Sequence, residues 1–438
     1  MAFVDKALGY DAHLFDRAVS VLARFAGAEP ENNNLNSARN SFSEFFHIYL
    51  SGTQATPEQR RAAIKRLAAS DDENLRRSAH IVLRALIKSD HFMSAGSYDF
   101  GARPRDWGWY PKLNKDVWGW FKDAIALVLQ LASDADARAL LGEHVRELWR
   151  YPTCRDALDR AATSFQQKRP WIEGWIALRA TLRFDGKDMA DDVRGKLEQL
   201  IDRLKPSDLL NQARAVVLNR MPGGGGWDFA DGEDDEGDAS KASDKADRMA
   251  QEIGRWLAAD VTTRVQFLIE LFAHPLALRA SQCGRGLAEG ADDLNAIWLE
   301  LAAAYGAAES RTRDAAVLGG FICEAHQRDQ SFTAAALDAA IQSRDLAPAL
   351  PYLQKCAGID KEGIARLRRA IAKGAVAAAN FQWIANGSVS KSPPGALAAL
   401  RRISPPSQVV LRSRSLSSTC ISTAIAGRRA GATRGSCQ

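Results

Sequence analysis

The feature that most constrains this chain is a rhythm: apolar residues recur at helical spacing, and a polar turn breaks the pattern about every 17 to 20 residues. From Asp11 to Ala28 the apolar positions are Leu14, Phe15, Ala18, Val19, Leu22, Phe25 and Ala26. Leu35 to Leu50 reads as a second helix with Phe42, Phe45, Phe46 and Tyr49 on one side. Thr56, Pro57 and Gln59 form a helix-start signature, because the threonine oxygen can cap a free N–H and proline fits the first turn. Ala62, Ile64, Leu67 and Ala68 carry that third helix, and Leu75 to Ile87 carries a fourth.

The pattern resumes at 116–131 and continues through 136–150, 153–167, 171–182, 188–204 and 207–220. After a break it covers 241–258, 261–273, 276–288, 294–305 and 314–326, then 332–342, 347–356 and 361–379. Alanine-rich faces in this second half predict shorter, closely packed helices. No segment shows convincing strand alternation. Helix pairs of about 35 to 45 residues match the repeat length of HEAT, armadillo and tetratricopeptide arrays. The tetratricopeptide signature does not recur, so the expected fold is all-α: an irregular α-solenoid of antiparallel helix pairs, HEAT- or armadillo-like.

At 438 residues the chain exceeds what one hydrophobic core usually serves. Residues 221–240 combine four consecutive glycines with an acidic run from Asp231 to Asp238, a composition that repels itself and resists packing. The expected organisation is helical repeats over 1–220, a linker over 221–240, and further repeats over 241–400. Residues 401–438 hold seven arginines, eight serines and no acid. They read either as a disordered basic tail or as out-of-frame translation of a GC-rich gene. Without that tail the other 400 residues balance 51 basic against 53 acidic groups, so no nucleic-acid partner is expected for residues 1–400.

Motifs for chemistry are lacking. Gly186-Lys187 and Gly195-Lys196 miss the Ser/Thr and upstream glycine of a phosphate loop. The seven histidines and six cysteines show no metal-ligand spacing, which predicts no cofactor, no metal and reduced thiols. No apolar run reaches the length of a membrane span and no secretory signal opens the chain, so a cytoplasmic location is expected. Catalysis is not expected.

The exception is Gly96 to Pro111, a long break in the rhythm that concentrates Tyr98, Asp99, Arg103, Arg105, Asp106, Trp107, Trp109 and Tyr110. Seven of the eleven tryptophans fall between Trp107 and Trp175, and Trp-Gly-Trp occurs twice, at 107–109 and 118–120. In one reading the rings fill a joint between helical layers, Gly108 and Gly119 permit close approach, and Arg103 and Arg105 pair with Asp99 and Asp106. In the other, these aromatics and arginines are binding anchors for a protein partner or ligand. A helical enzyme centred on Tyr98, Asp99, Arg103, Arg105 and Asp106, or a nucleic-acid-binding array using the two arginines and the tail, are the alternatives.

Two segments carry a resemblance: Phe45 through Arg60 (Phe-Phe-His-Ile-Tyr-Leu-Ser-Gly-Thr-Gln-Ala-Thr-Pro-Glu-Gln-Arg), and Phe100 through Pro111 with the following Trp120. They are similar to segments of the C-terminal helical-repeat regions of bacterial STAND-class NTPases (NACHT- or NLR-like), some implicated in antiphage defence. The resemblance implies a repeat region that senses a ligand while a separate N-terminal module hydrolyses ATP. With no phosphate loop here, it also implies a fragment of such a protein, consistent with an N-terminus that enters directly into a repeat helix.

Overall fold

The computed structural model describes residues 8–30, 37–92, 106–218, 239–274, 277–309, 313–381 and 384. Among these the secondary structure is helical, with no strand. Among the described residues no helix is long and apolar enough to cross a membrane. The chain divides into two compact units, Met1–Lys205 and Pro206–Gln438. Of the expected 221–240 linker, only Ala239 and Ser240 lie within the described residues, where they begin a helix; the 401–438 tail lies outside them.

The first unit contains α1 (Phe15–Ala28), α2 (Ala38–Glu44), α3 (Pro57–Ala68), α4 (Glu73–Ile87), α5 (Asn114–Leu131), α6 (Asp134–Trp149), α7 (Pro152–Lys168), α8 (Ile172–Asp185) and α9 (Asp191–Leu204). Most helices pack on the helix two places further along, and many also on their neighbour, which builds two rows. One row is α3, α5, α7 and α9; the other runs through α6 and α8, and α1 and α2 cover α4. This is solenoid-like packing, in which each unit buries its apolar face against the next.

Ion pairs staple helices within a row. Arg61 on α3 reaches Asp123 on α5 at 2.8 Å, and Arg203 on α9 pairs with Asp159 on α7. On the other side Arg84 of α4 pairs with Glu143 of α6, and Arg146 of α6 grips Asp185 at the end of α8 with two bonds of 2.9 and 2.7 Å.

The second unit contains α10 (Leu209–Val216), α11 (Ala239–Ala259), α12 (Val261–Ala273), α13 (Ala280–Glu289), α14 (Leu294–Ala307), α15 (Ala316–Arg328), α16 (Gln330–Ala340), α17 (Leu350–Ala357) and α18 (Lys361–Ala372). The rows here are α11, α13, α15 and α17 against α10, α12 and α14. The second row is again stapled: Arg214 to Glu270 at 2.7 and 2.5 Å, then Arg264 to Glu300 at 2.8 and 3.1 Å.

The α11–α13–α15 row packs backbone against backbone, as its alanine-rich faces predict. A Cβ at Gly286 would lie 1.8 Å from the Gln251 carbonyl oxygen of α11, and one at Gly320 would lie 1.8 Å from that of Ser281 on α13. Glycine is required at such a distance, because any side chain would force the helices apart.

Most expected helices form, with ends set by caps. Thr56 and Gln59 make a complete capping box, and Asp72, Ser133, Asp208, Asp260, Asp293, Asp329 and Asp360 each accept from a first-turn N–H. Three expectations need correction. The second helix does not run to Leu50 but stops at Glu44. There the chain turns so that Phe45, Phe46 and Ile48 all enter the core, with Phe15 meeting both phenylalanines at about 6 Å. On α3 the buried face is Arg60, Ala63, Ile64 and Leu67, whereas Ala62 is exposed. Finally, α18 ends at Ala372 rather than Ala379, since Gly374 adopts a positive φ of 68°.

Candidate functional site

Asp106, Trp107, Trp109 and Tyr110 lie within the described residues; Tyr98, Asp99, Arg103 and Arg105 lie outside them. The 106–111 backbone is laid against the loop from Ser51 to Ala55. The Gly52 N–H donates to the Trp107 carbonyl at 3.0 Å and the Trp109 N–H donates to the Thr53 carbonyl at 2.7 Å. Gly108, between these bonds, has φ of 88°, and a Cβ there would sit 2.5 Å from Thr53 N and O. Here the expectation of a close approach at glycine holds. It fails for Gly119, which faces open space with nothing within 4 Å.

Asp106 ties a third strand of chain into the joint. Its Oδ1 accepts from the Tyr10 hydroxyl at 2.9 Å, from Gln54 Nε2 at 2.8 Å and from the Gly108 N–H at 2.9 Å. Gln54 in turn donates its own N–H to the Tyr10 carbonyl at 2.7 Å.

Beneath this joint lies Arg60, which is completely buried. Its guanidinium donates to the carbonyls of Ala55 (3.1 Å), His47 (2.7 Å) and Thr53 (3.3 Å) and to Ser51 Oγ (3.0 Å). It also faces the Trp109 and Trp120 rings, 5.5 Å from each centroid, and those rings stack on one another at 5.9 Å. Trp120 completes the arrangement by donating Nε1–H to the Leu86 carbonyl at 2.9 Å. Burial lowers the Arg60 pKa to about 9. Oxygen dipoles and ring faces stand in for solvent around the cation.

His47 is buried beside it, edge-on to Phe92 at 5.4 Å. Desolvation, reinforced by the charges of Lys88 and Arg60, pushes its imidazole down to about 3, so the ring is neutral near pH 7.

The two stretches that carry the resemblance therefore meet: the Phe45–Arg60 loop is the seat, and 106–111 with Trp120 is what sits on it. Asp106 and the inward ring of Trp109 hold the joint together. Trp107 and Tyr110 point the other way, exposed by 49% and 47%, and Leu113 by 55%. Lys112 Nζ lies 3.3 Å over the Tyr110 ring. The result is a fixed backbone that displays two aromatics and a leucine to solvent.

Sequence reading missed Arg60, though a signal existed. Arg60 sits at i−3, i−4 and i−7 to Ala63, Ile64 and Leu67, an apolar position of α3. The same holds for Arg138, fully buried on α6, which donates to the carbonyls of Phe165, Arg169 and Pro170 and so closes the end of α7. Arg264 does so for α11 through Leu257 and Ala258. A separate groove of about 380 Å³ lies between α5, α6 and α7, floored by Ile125, Ala161 and Phe165 and rimmed by Lys122, Arg160 and Lys168. Among the described residues no cluster of His, Cys, Asp and Glu could hold a metal ion.

No family model, curated protein or solved structure matches this chain.

Proposed function

We propose that this chain is a helical-repeat module for protein interaction or ligand sensing, and that the 106–113 ridge is its contact surface. The observation behind this reading is the division of labour within one short stretch. Asp106 and Trp109 are tied to Tyr10, Thr53 and Arg60 and Gly108 is pressed against Thr53, while on the same fixed backbone Trp107 and Tyr110 keep about half their surface in water. Rigid aromatics lose little conformational freedom on binding, which makes them effective anchors for a partner.

The resemblance extends the proposal: a cytoplasmic sensor region of a bacterial STAND-class NTPase, acting in antiphage defence, with the ATPase carried by a separate module. A reading frame for an NTP-binding domain immediately upstream in the genome would support that extension, and its absence would count against it.

The contact surface is tested by placing a photo-crosslinking amino acid at Tyr110 and comparing cells expressing that protein with and without Trp107→Ala. A discrete crosslinked product that vanishes with Trp107→Ala, at unchanged helicity, is the expected result. Loss of helicity on Trp107→Ala would instead make the ring structural and defeat the proposal.

A further inference from the structure

We propose that Cys323 and Cys356 form a redox-active dithiol site in the second unit, which a peroxide converts into a disulfide joining α15 to α17. These helices are neighbours in one row. Their register is fixed by Gly319, where a Cβ would lie 2.4 Å from the Tyr352 ring. One turn further along each helix, at i+4 from Gly319 and from Tyr352, stand Cys323 and Cys356, on the faces this contact brings together.

Three observations support the pairing. The Tyr352 hydroxyl hydrogen-bonds the Cys356 thiol, and Cys323 lies close enough to Tyr352 and Cys356 to interact with both electrostatically. Arg285 Nη2, from α13, donates to Cys323 Sγ at 3.2 Å. Both thiols are free and only partly covered, so a small oxidant reaches them. The other two described cysteines, Cys154 and Cys283, are completely buried and their thiols are pushed up to about 12, which leaves them unreactive.

The roles within the pair differ. Arg285 Nη2 donates to the Cys323 sulfur and holds it in place, which assigns Cys323 as the sulfur that attacks first. Burial pushes the Cys356 thiol up to about 11, which suits a resolving group. The Cys323 sulfur attacks one peroxide oxygen and the O–O bond breaks, giving a sulfenic acid and, with the thiol proton, one water. Cys356 sulfur then attacks the sulfenic sulfur. The S–O bond breaks, and the departing hydroxide takes the Cys356 proton as a second water. Two thiols lose two electrons and one peroxide gains them.

The test treats the purified full chain with hydrogen peroxide, followed by peptide mapping without reductant. A Cys323–Cys356 linked peptide that disappears on reduction is expected. Cys356→Ser should leave a sulfenic acid at Cys323 that dimedone traps, Cys323→Ser should leave Cys356 unmodified, and Arg285→Met should slow linkage several-fold. Circular dichroism matching the parent establishes that these variants fold. Independent oxidation of the two cysteines without a link, or linkage of either to another cysteine, overturns the site. An unchanged rate in Arg285→Met overturns the assignment of Cys323 as the attacking sulfur.

Discussion

Arg60 and Trp109, forty-nine positions apart, face one another across 5.5 Å, the guanidinium on one side and the indole ring on the other. The same guanidinium holds the carbonyls of His47, Thr53 and Ala55. One side chain therefore fixes both the loop that seats the aromatic ridge and the ring that anchors it. Arg60→Met keeps much of the volume but leaves the inward-turned carbonyls of His47 and Ala55 without a donor, while Thr53 keeps the Trp109 N–H. The expected cost is about 3 kcal/mol or more, since each unsatisfied buried group costs on the order of 1–3 kcal/mol. Urea denaturation followed by tryptophan fluorescence reads this directly. Arg60→Lys should rescue little, because an ammonium cannot span four acceptors in a plane.

His47 makes the first unit acid-sensitive. Its folded pKa, about 3, lies below the unfolded value near 6.5, so the folded state takes up no proton here while the unfolded state does. The contribution is complete above pH 6.5 and is lost as pH falls towards 3, at about 1.4 kcal/mol per pH unit. His144, also lowered chiefly by burial, acts in the same direction. His47→Phe should flatten the decline of the urea midpoint between pH 7 and pH 5. A decline as steep as in the parent would refute the assignment.

Gly108 and Gly119 should respond oppositely to alanine. Gly108→Ala places a methyl against the Thr53 backbone at a positive φ, for an expected loss of about 2 kcal/mol or more. Gly119→Ala meets nothing and removes a glycine from the interior of α5, for a gain of about 0.5–1 kcal/mol. Thermal melts of the two variants should shift in opposite directions.

In the second unit Gly320→Ala should be costly although the residue is small and the change minimal. Its new methyl would fall 1.8 Å from the Ser281 carbonyl oxygen, so α13 and α15 must separate. An expected penalty of about 1–3 kcal/mol follows from overpacking. Hydrogen exchange should report the opening as faster exchange confined to the second unit. Exchange equal to the parent's would show that the row can absorb the methyl.

Helices were readable from the sequence because burial of one face imposes a period on it, and Leu22, Leu141, Leu271 and Leu367 all fall where that period places them. The short α2 was not, because its continuation past Glu44 is as apolar as a helix would be. Past Glu44 the chain tightens into three-residue turns, and the His47 carbonyl is taken by Arg60, thirteen positions away. Of the site, the stretch itself was visible through its aromatics and glycines. Its split into an anchoring side and a displayed side depends on Tyr10, Thr53 and Arg60, three contacts at long sequence separation. Arg60 was passed over because arginine is ordinarily counted as surface. Its position on an apolar stripe, shared by Arg138 and Arg264, was the better guide.

The staples within each row have a consequence for how such a chain can change length. Arg214 to Glu270 and Arg264 to Glu300 join α10 to α12 and α12 to α14, helices two places apart rather than immediate neighbours. Adding or losing a single helix would transfer every later helix to the opposite row and part each arginine from its carboxylate. Gain or loss of two together keeps all partners in phase. The smallest heritable step in the growth of this architecture is therefore a pair.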